Sequence, residues 1–198
     1  MSAPRSSPVP PGPAAPGDEP VALYDPHDAA GRVVGSAPRS RVRRENLPHA
    51  ATGVLLRDAR GRVLVHRRTT VKDVYPGRHD CLAGGVVGAG EDPALAAERE
   101  LAEELGVRGV PLRPVLRRWY RDERTYFLAH VFTARVPAGA EDALVLQPEE
   151  VEAAWWEEPA RLRELLADPA WPFVPDSRAL LAAWPRWWRD DEPDGATG

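Results

Sequence analysis

The sequence predicts an α+β fold built around a mixed β-sheet, and three observations carry that expectation. Short β-rich runs and helical stretches intermix without strict strand–helix–strand alternation, which argues against a doubly wound parallel sheet. Hydrophobic residues make up 43% of the chain, enough for a packed core. The length of 198 residues favours one domain over two. We expect that domain over residues 20–189, between a disordered Pro-rich lead at 1–19 and a disordered acidic tail at 190–198.

Taken in order, residues 21–34 hold two short strands around a turn at 26–31. Residues 51–56 and 62–67 are β-rich and flank the turn Asp58-Ala59-Arg60-Gly61, which reads as a hairpin. Asp92-Pro93 opens a helix, with Asp as N-cap and Pro at the first helical position. That helix runs to Leu105, where Gly106 ends it. Residues 110–120 and 125–136 form a second hairpin around Arg121-Asp122-Glu123-Arg124. A strand at 153–156 and a helix at 159–166 follow. A last helix at 176–188 is kinked or cut short by Pro185.

Composition excludes several function classes. No stretch approaches the run of about 18 apolar residues that a membrane span needs. The N-terminus lacks the apolar region of an export signal. The single cysteine, Cys81, allows no internal disulfide. Together these point to a cytoplasmic protein. The net charge is −4 and no Lys/Arg tract suggests a nucleic-acid polymer or a membrane surface as partner. Lys72 is the only lysine.

The chemistry sits in residues 85–107, GVVGAGEDPALAAERELAEELGV. On a helix, Glu100, Glu103 and Glu104 at i, i+3 and i+4 share one face. Their repulsion is unfavourable, and no basic residue follows at i+4 to relieve it. Leu95, Leu101, Ala102 and Leu105 fall on the opposite face, which should pack on the core. Glu98 falls toward that apolar side without an evident reason. Such an acidic face is either a solvated surface or a site for a hard cation such as Mg²⁺, which prefers carboxylate oxygens.

The flanking residues add specificity. Gly85, Glu91, Arg99-Glu100-Leu101, Glu103-Glu104 and Gly106-Val107 match the Nudix box, G-x5-E-x7-R-E-U-x-E-E-x-G-U with U aliphatic, at every specified position. By chance that match arises at roughly 10⁻⁹ per window. The chain therefore resembles the Nudix hydrolases, whose fold is an α/β/α sandwich around a mixed sheet. The resemblance implies that Glu100, Glu103, Glu104 and the Gly84 carbonyl ligate Mg²⁺, with Mn²⁺ as a possible substitute. It implies that Arg99 and Glu91 form a buried structural ion pair, and that Gly85 lets the loop approach the metal. The general base is Glu103, Glu104 or a downstream acid; in Gln147-Pro148-Glu149-Glu150 the candidate is Glu150, with Glu149 close behind. The plain alternative is that both are surface acids.

The resemblance extends over roughly residues 19–188. Leu47-Pro48-His49, GRVLVHRRTTVKDVYPG and Pro172-Phe173-Val174-Pro175-Asp176 look like the Nudix branch related to isopentenyl-diphosphate isomerase. In that alignment Arg68 and Lys72 fall where the substrate diphosphate is contacted; the alternative is a basic strand end on the surface. Of the isomerase's own metal site His49 remains and Glu104 matches its box acid, but the rest of its machinery is replaced. Its reactive cysteine and the following histidine correspond to Gly84 and Val86, and its later acids to Thr125 and Phe127. Cys81 is three residues too early and reads as a packing residue. His66, His79 and His130 read as strand or loop residues, and Trp155, Trp156, Trp184, Trp187 and Trp188 as packing aromatics.

Three functions then compete: a Mg²⁺-dependent hydrolase of a diphosphate linkage in a nucleoside-diphosphate-like or other small organic substrate, an isomerase of prenyl diphosphates, and a non-catalytic binding module. The complete box favours the first. The resemblance is also compatible with a homodimer.

Overall fold

The computed structural model describes residues 18–189, so the expected Pro-rich lead, up to residue 17, and the acidic tail lie outside the described residues. Strands β1 (Pro20–Tyr24) and β2 (Val33–Pro38) form the first antiparallel pair, from Pro20↔Pro38 to Tyr24↔Val33. A short helix α1 (Arg39–Glu45) follows, which the sequence pattern did not announce. Its N-terminus has no cap of its own; the Ser40 amide donates to the Asp18 carboxylate at 2.7 Å instead. Only Val42 of α1 is buried, so no apolar stripe marks it.

Strands β3 (His49–Arg57) and β4 (Val63–Arg68) flank the predicted turn. Asp58 organises it. Its fully buried carboxylate accepts from the amides of Arg60 and Arg62 at 2.9 and 2.8 Å, and Gly61 takes φ 83°. Yet β3 and β4 pair only at Arg57↔Val63, a much shorter hairpin than expected. Beyond that point β4 pairs with β8 (Val151–Glu157) over Val63↔Glu157 to Arg68↔Val151, and β3 pairs in parallel with β7 (Tyr126–Arg135) over its whole length. The other edge of β3 is taken by residues 83–87. Thr52 donates to the Gly85 carbonyl at 2.8 Å, and Val54 to the Ala83 carbonyl at 2.7 Å.

The short strand β5 (His79–Asp80) extends the sheet beside β4, and β6 (Arg113–Arg121) closes the other end as the antiparallel partner of β7. The β6–β7 hairpin lies where it is expected. Asp122 stabilises its turn by accepting from the amides of Arg124 and Thr125. The sheet is therefore mixed: β3·β7 is parallel and the other strand pairs are antiparallel.

Alternation along the strands feeds two cores. Leu55, Val63, Val65, Phe127 and Val131 pack with Leu162 of α3 (Pro159–Ala167) and with Leu180 and Leu181 of α4 (Pro175–Ala183). Val54, Leu56, Leu64 and Phe132 pack with Ala97, Leu101 and Leu105 of α2 (Pro93–Leu105). Helices thus cover both faces, the α/β/α sandwich that the box implies. Helix α4 stops at Ala183, two residues before Pro185. Among the described residues no helix is long and apolar enough to cross a membrane.

Candidate active site

Helix α2 is set by its own ends. The Asp92 side chain accepts from the Ala94 amide at 2.8 Å, Pro93 begins the first turn, and Gly106 closes the last with φ 70°. The buried face is Ala96, Ala97, Leu101, Glu104 and Leu105. Leu95 is 61% exposed, a correction to the expected apolar face. Two small alanines let the helix approach the sheet, and that rotates Leu95 outward. Glu98 points to solvent, which removes the anomaly of an acid on the packing side.

The three box carboxylates do not share one environment. The side chains of Glu100 and Glu104 are turned toward residues 84–85, whereas Glu103 is half exposed. The Gly84 amide donates to Glu104 Oε2 at 3.2 Å. A β-carbon on Gly85 would lie 2.5 Å from Oε1 of Glu100, so glycine here admits the carboxylate. A β-carbon on Gly84 would lie 2.1 Å from the Thr52 carbonyl oxygen, so glycine there lets the loop pair with β3.

Arg99 is the hub of this wall. Its Nε and Nη2 donate to both oxygens of Glu91 at 2.9 and 3.2 Å, and the Gly88 amide donates to the same Glu91 carboxylate. Its Nη1 donates to Glu100 at 2.8 Å and to Glu103 at 3.2 Å. The Arg99–Glu91 pair forms as expected, but the Arg99 side chain is 38% exposed, so it is not buried. The relief of carboxylate repulsion that the sequence lacked at i+4 comes from i−4, since Arg99 precedes Glu103 by one turn. Arg99 holds Glu91 below the usual carboxylate range.

Glu104 behaves oppositely. Burial, and then the neighbouring Glu100 charge, push its carboxyl up to about 7. Burial also raises Glu100. Among the described residues no three His, Cys, Asp or Glu side chains stand together as a metal shell, and Glu103 is engaged by Arg99. The donor set nonetheless fits a hard divalent cation. Two inward carboxylates, both raised by burial, beside a loop with no side chains at 84 and 85, offer the oxygen ligands and clearance that suit Mg²⁺.

Opposite this acidic wall stand cations. A cavity of about 550 Å³ is lined by Glu100, Glu103 and Glu104 on one side and by Arg39, Arg43, Arg68 and Lys72 on the other, with Glu150 at its rim. All seven residues singled out in the sequence, Gly84 included, line it. Arg39 and Arg43 were missed, because α1 has no periodicity; their i, i+4 spacing on one helix face was the available signal. Arg68 and Lys72 are each only 15% exposed, which removes the surface alternative. Lys72 pairs with Glu150. Burial and the Arg68 charge lower the Lys72 ammonium to about 8. Glu149 is exposed and its backbone carbonyl accepts from Thr69.

The residues read as structural are so placed. Cys81 is buried, and burial pushes its thiol well up. His66 is buried on β4, and His79 stacks on Trp171 with ring centres 5.2 Å apart. His130 is half-buried on β7. Trp187 is buried, and Trp155, Trp156, Trp184 and Trp188 pack against the two cores.

Comparison with known proteins agrees with this geometry. The NUDIX domain family matches residues 47–177. An uncharacterized Nudix hydrolase of Rhodococcus erythropolis is 45% identical over 175 residues, 84% of this chain and 92% of that one. The uncharacterized Nudix hydrolase YfcD of Escherichia coli is 35% identical over 77% of this chain and 80% of its own. Among solved structures, one from Deinococcus radiodurans superposes with a TM-score of 0.67 at 23% identity, over 84% of this chain and 99% of that one. A MutT protein from Methanosarcina mazei superposes with a TM-score of 0.57 at 23% identity, over 70% and 94%. With its fold, its complete box and these relatives, the chain belongs to the Nudix hydrolase family.

Proposed function

We propose that the protein is a Mg²⁺-dependent hydrolase that cleaves the P–O–P linkage of a small organic diphosphate in the cytoplasm. One observation carries this reading: a single cavity has the acidic face of α2 as one wall and four cations as the other. Carboxylates suit the metal and cations suit the phosphates. Glu100, Glu103, Glu104 and the Gly84 carbonyl would hold the ion, with Mn²⁺ as a substitute. When bound, Mg²⁺ neutralises phosphate oxygens and acidifies a coordinated water.

The chain's own groups do the rest. Arg68 and Lys72 orient the diphosphate by charge. Arg99 fixes the rotamers of Glu100 and Glu103, so the wall is organised in advance. Glu150 accepts the proton of the attacking water, with Glu103 and Glu104 as the neighbouring alternatives. Water adds to one phosphorus, the bridging P–O bond breaks, and two phosphate products leave.

The test is product release with Mg²⁺ across nucleotide sugars, dinucleotides, nucleoside triphosphates, coenzyme A and prenyl diphosphates, with an EDTA control. Metal-dependent cleavage is expected, with most turnover lost in Glu103→Gln or Glu104→Gln while the fold persists. Wild-type rates in both variants would overturn the metal-site assignment.

A further inference from the structure

Behind the groove lies a second, smaller cavity of about 100 Å³. It is separate from the acidic wall: Glu100, Glu103 and Glu104 do not line it. The two cavities share Arg43, Arg68 and residues 84–86. Arg43 and Arg68 therefore stand at a threshold between them. The Arg68 Nη2 donates to the Val74 carbonyl at 3.0 Å and Nη1 lies 3.9 Å from Asp80, while its buried Nε has no hydrogen-bond partner. A guanidinium 15% exposed that lines both cavities is suited to an anion arriving from the groove.

The inner cavity has two characters. Leu82, Phe127, Ala129 and Leu180 make it apolar. Asp176, on the first turn of α4, gives it an acid. The hydrogen bond to the Asp176 carboxylate comes from the Ser177 amide at 2.8 Å, and no cation among the described residues stands within ion-pair distance of it. Burial and the Asp80 charge push that carboxyl up to about 7. By contrast, Asp80 is satisfied by the amides of Cys81 and Leu82 at 2.7 and 3.0 Å. A half-buried acid facing a cavity with one backbone donor is an acceptor short of a partner.

We propose that the inner cavity is the subsite for the organic end of the substrate, which is a compact group carrying a hydrogen-bond donor, ammonium or hydroxyl, that Asp176 accepts. The proposal rests on the hydrolase reading for the diphosphate, which sits at the Arg43–Arg68 threshold. Size sets the class. By liquid volume the cavity holds about three waters, hence a handful of heavy atoms and not a base plus ribose. Asp176 is then the residue that separates compact polar diphosphates from nucleotides and from plain alkyl diphosphates.

Two measurements test this. The first is calorimetric binding in EDTA of 4-aminobutyl, 4-hydroxybutyl and n-pentyl diphosphate and of ADP. The amino or hydroxy compound should bind at least tenfold more tightly than both n-pentyl diphosphate and ADP. Asp176→Asn should erase the preference of the ammonium compound over its n-pentyl isostere, leaving n-pentyl affinity within twofold and the Tm unchanged. Because Asp176 also accepts from Ser177 in α4, a second variant guards against misfolding: Ala51→Leu fills the cavity from β3 and should weaken the three alkyl ligands tenfold while leaving ADP unchanged. The second measurement is phosphate release from the same compounds with Mg²⁺. Equal affinity for all four ligands, or a preference that survives Asp176→Asn, overturns the subsite. A retained binding preference without any phosphate release overturns the hydrolase reading and leaves the subsite standing.

Discussion

Gly85 and Glu100 are in mutual contact: a β-carbon on the glycine would lie 2.5 Å from Oε1 of the glutamate. The obstacle is the far end of a flexible side chain, so the fold can yield but the carboxylate must move. Gly85→Ala is expected to lower metal-dependent turnover tenfold or more with little change in Tm. Gly84→Ala meets the Thr52 backbone oxygen at 2.1 Å, which cannot swing aside. It should cost about 3 kcal/mol of stability, the upper range for overpacking. Denaturant titration of both variants distinguishes the two glycines. Equal stability losses would refute the separate roles.

Glu104 makes a pH prediction of definite sign. Its carboxyl is raised from 4.5 to about 7 in the folded protein. Between those values the fold retains a proton that the unfolded chain has released, so stability falls as pH rises through the window. Glu104→Gln lacks this slope. In EDTA, the variant should gain on the wild type by about 3 kcal/mol between pH 4 and pH 8. Parallel stability curves would show that Glu104 carries no such shift.

Lys72, being the only lysine, makes a clean reporter. Its ammonium is lowered to about 8, so an acylating reagent should modify it with a half-maximal rate near pH 8. Glu150→Gln removes its partner and should quicken labelling several-fold. Inorganic pyrophosphate should protect it. Mass spectrometry of the labelled peptide reads both effects; labelling indifferent to pyrophosphate would remove Lys72 from the phosphate wall.

Asp58 is a structural acid far in role from the groove. It is fully buried, pairs with Arg62 Nε at 2.6 Å and holds two turn amides. Asp58→Ala strands those donors and should cost about 3 kcal/mol. Turnover per folded molecule should be unchanged, as measured by active-site titration after urea unfolding has fixed the stability.

What could be read in the residues was what is local. Asp92, Pro93 and Gly106 delimit α2 by interactions within a few positions, and the structure places its ends where they indicate. The cluster of Gly84, Glu100, Glu103 and Glu104 was legible for the same reason, since the box is one contiguous segment. What escaped depends on distant partners. The α1 arginines enter the groove on a helix capped by Asp18, twenty-two positions before Ser40. The β3–β4 hairpin is curtailed because β8 and residues 83–87 compete for the same edges, and turn chemistry at Asp58 cannot reveal that. Asp176 and Arg68 meet around the inner cavity only through the tertiary fold. The opposite charges of Arg99 and its three glutamates were visible, but their simultaneous engagement by one guanidinium was not.

The hydrogen bonds from Thr52 and Val54 to residues 83–85 also bear on how this protein can change. They tie the loop that faces the acidic wall of α2 to the sheet, so this loop inherits the sheet's rigidity and tolerates little drift in sequence or position. The facing wall is assembled from a short helix, the last residue of β4 and the connecting segments that carry Lys72 and Glu150. New specificities in descendants of this chain should therefore accumulate on that side, as insertions and exchanges that leave the chemistry untouched.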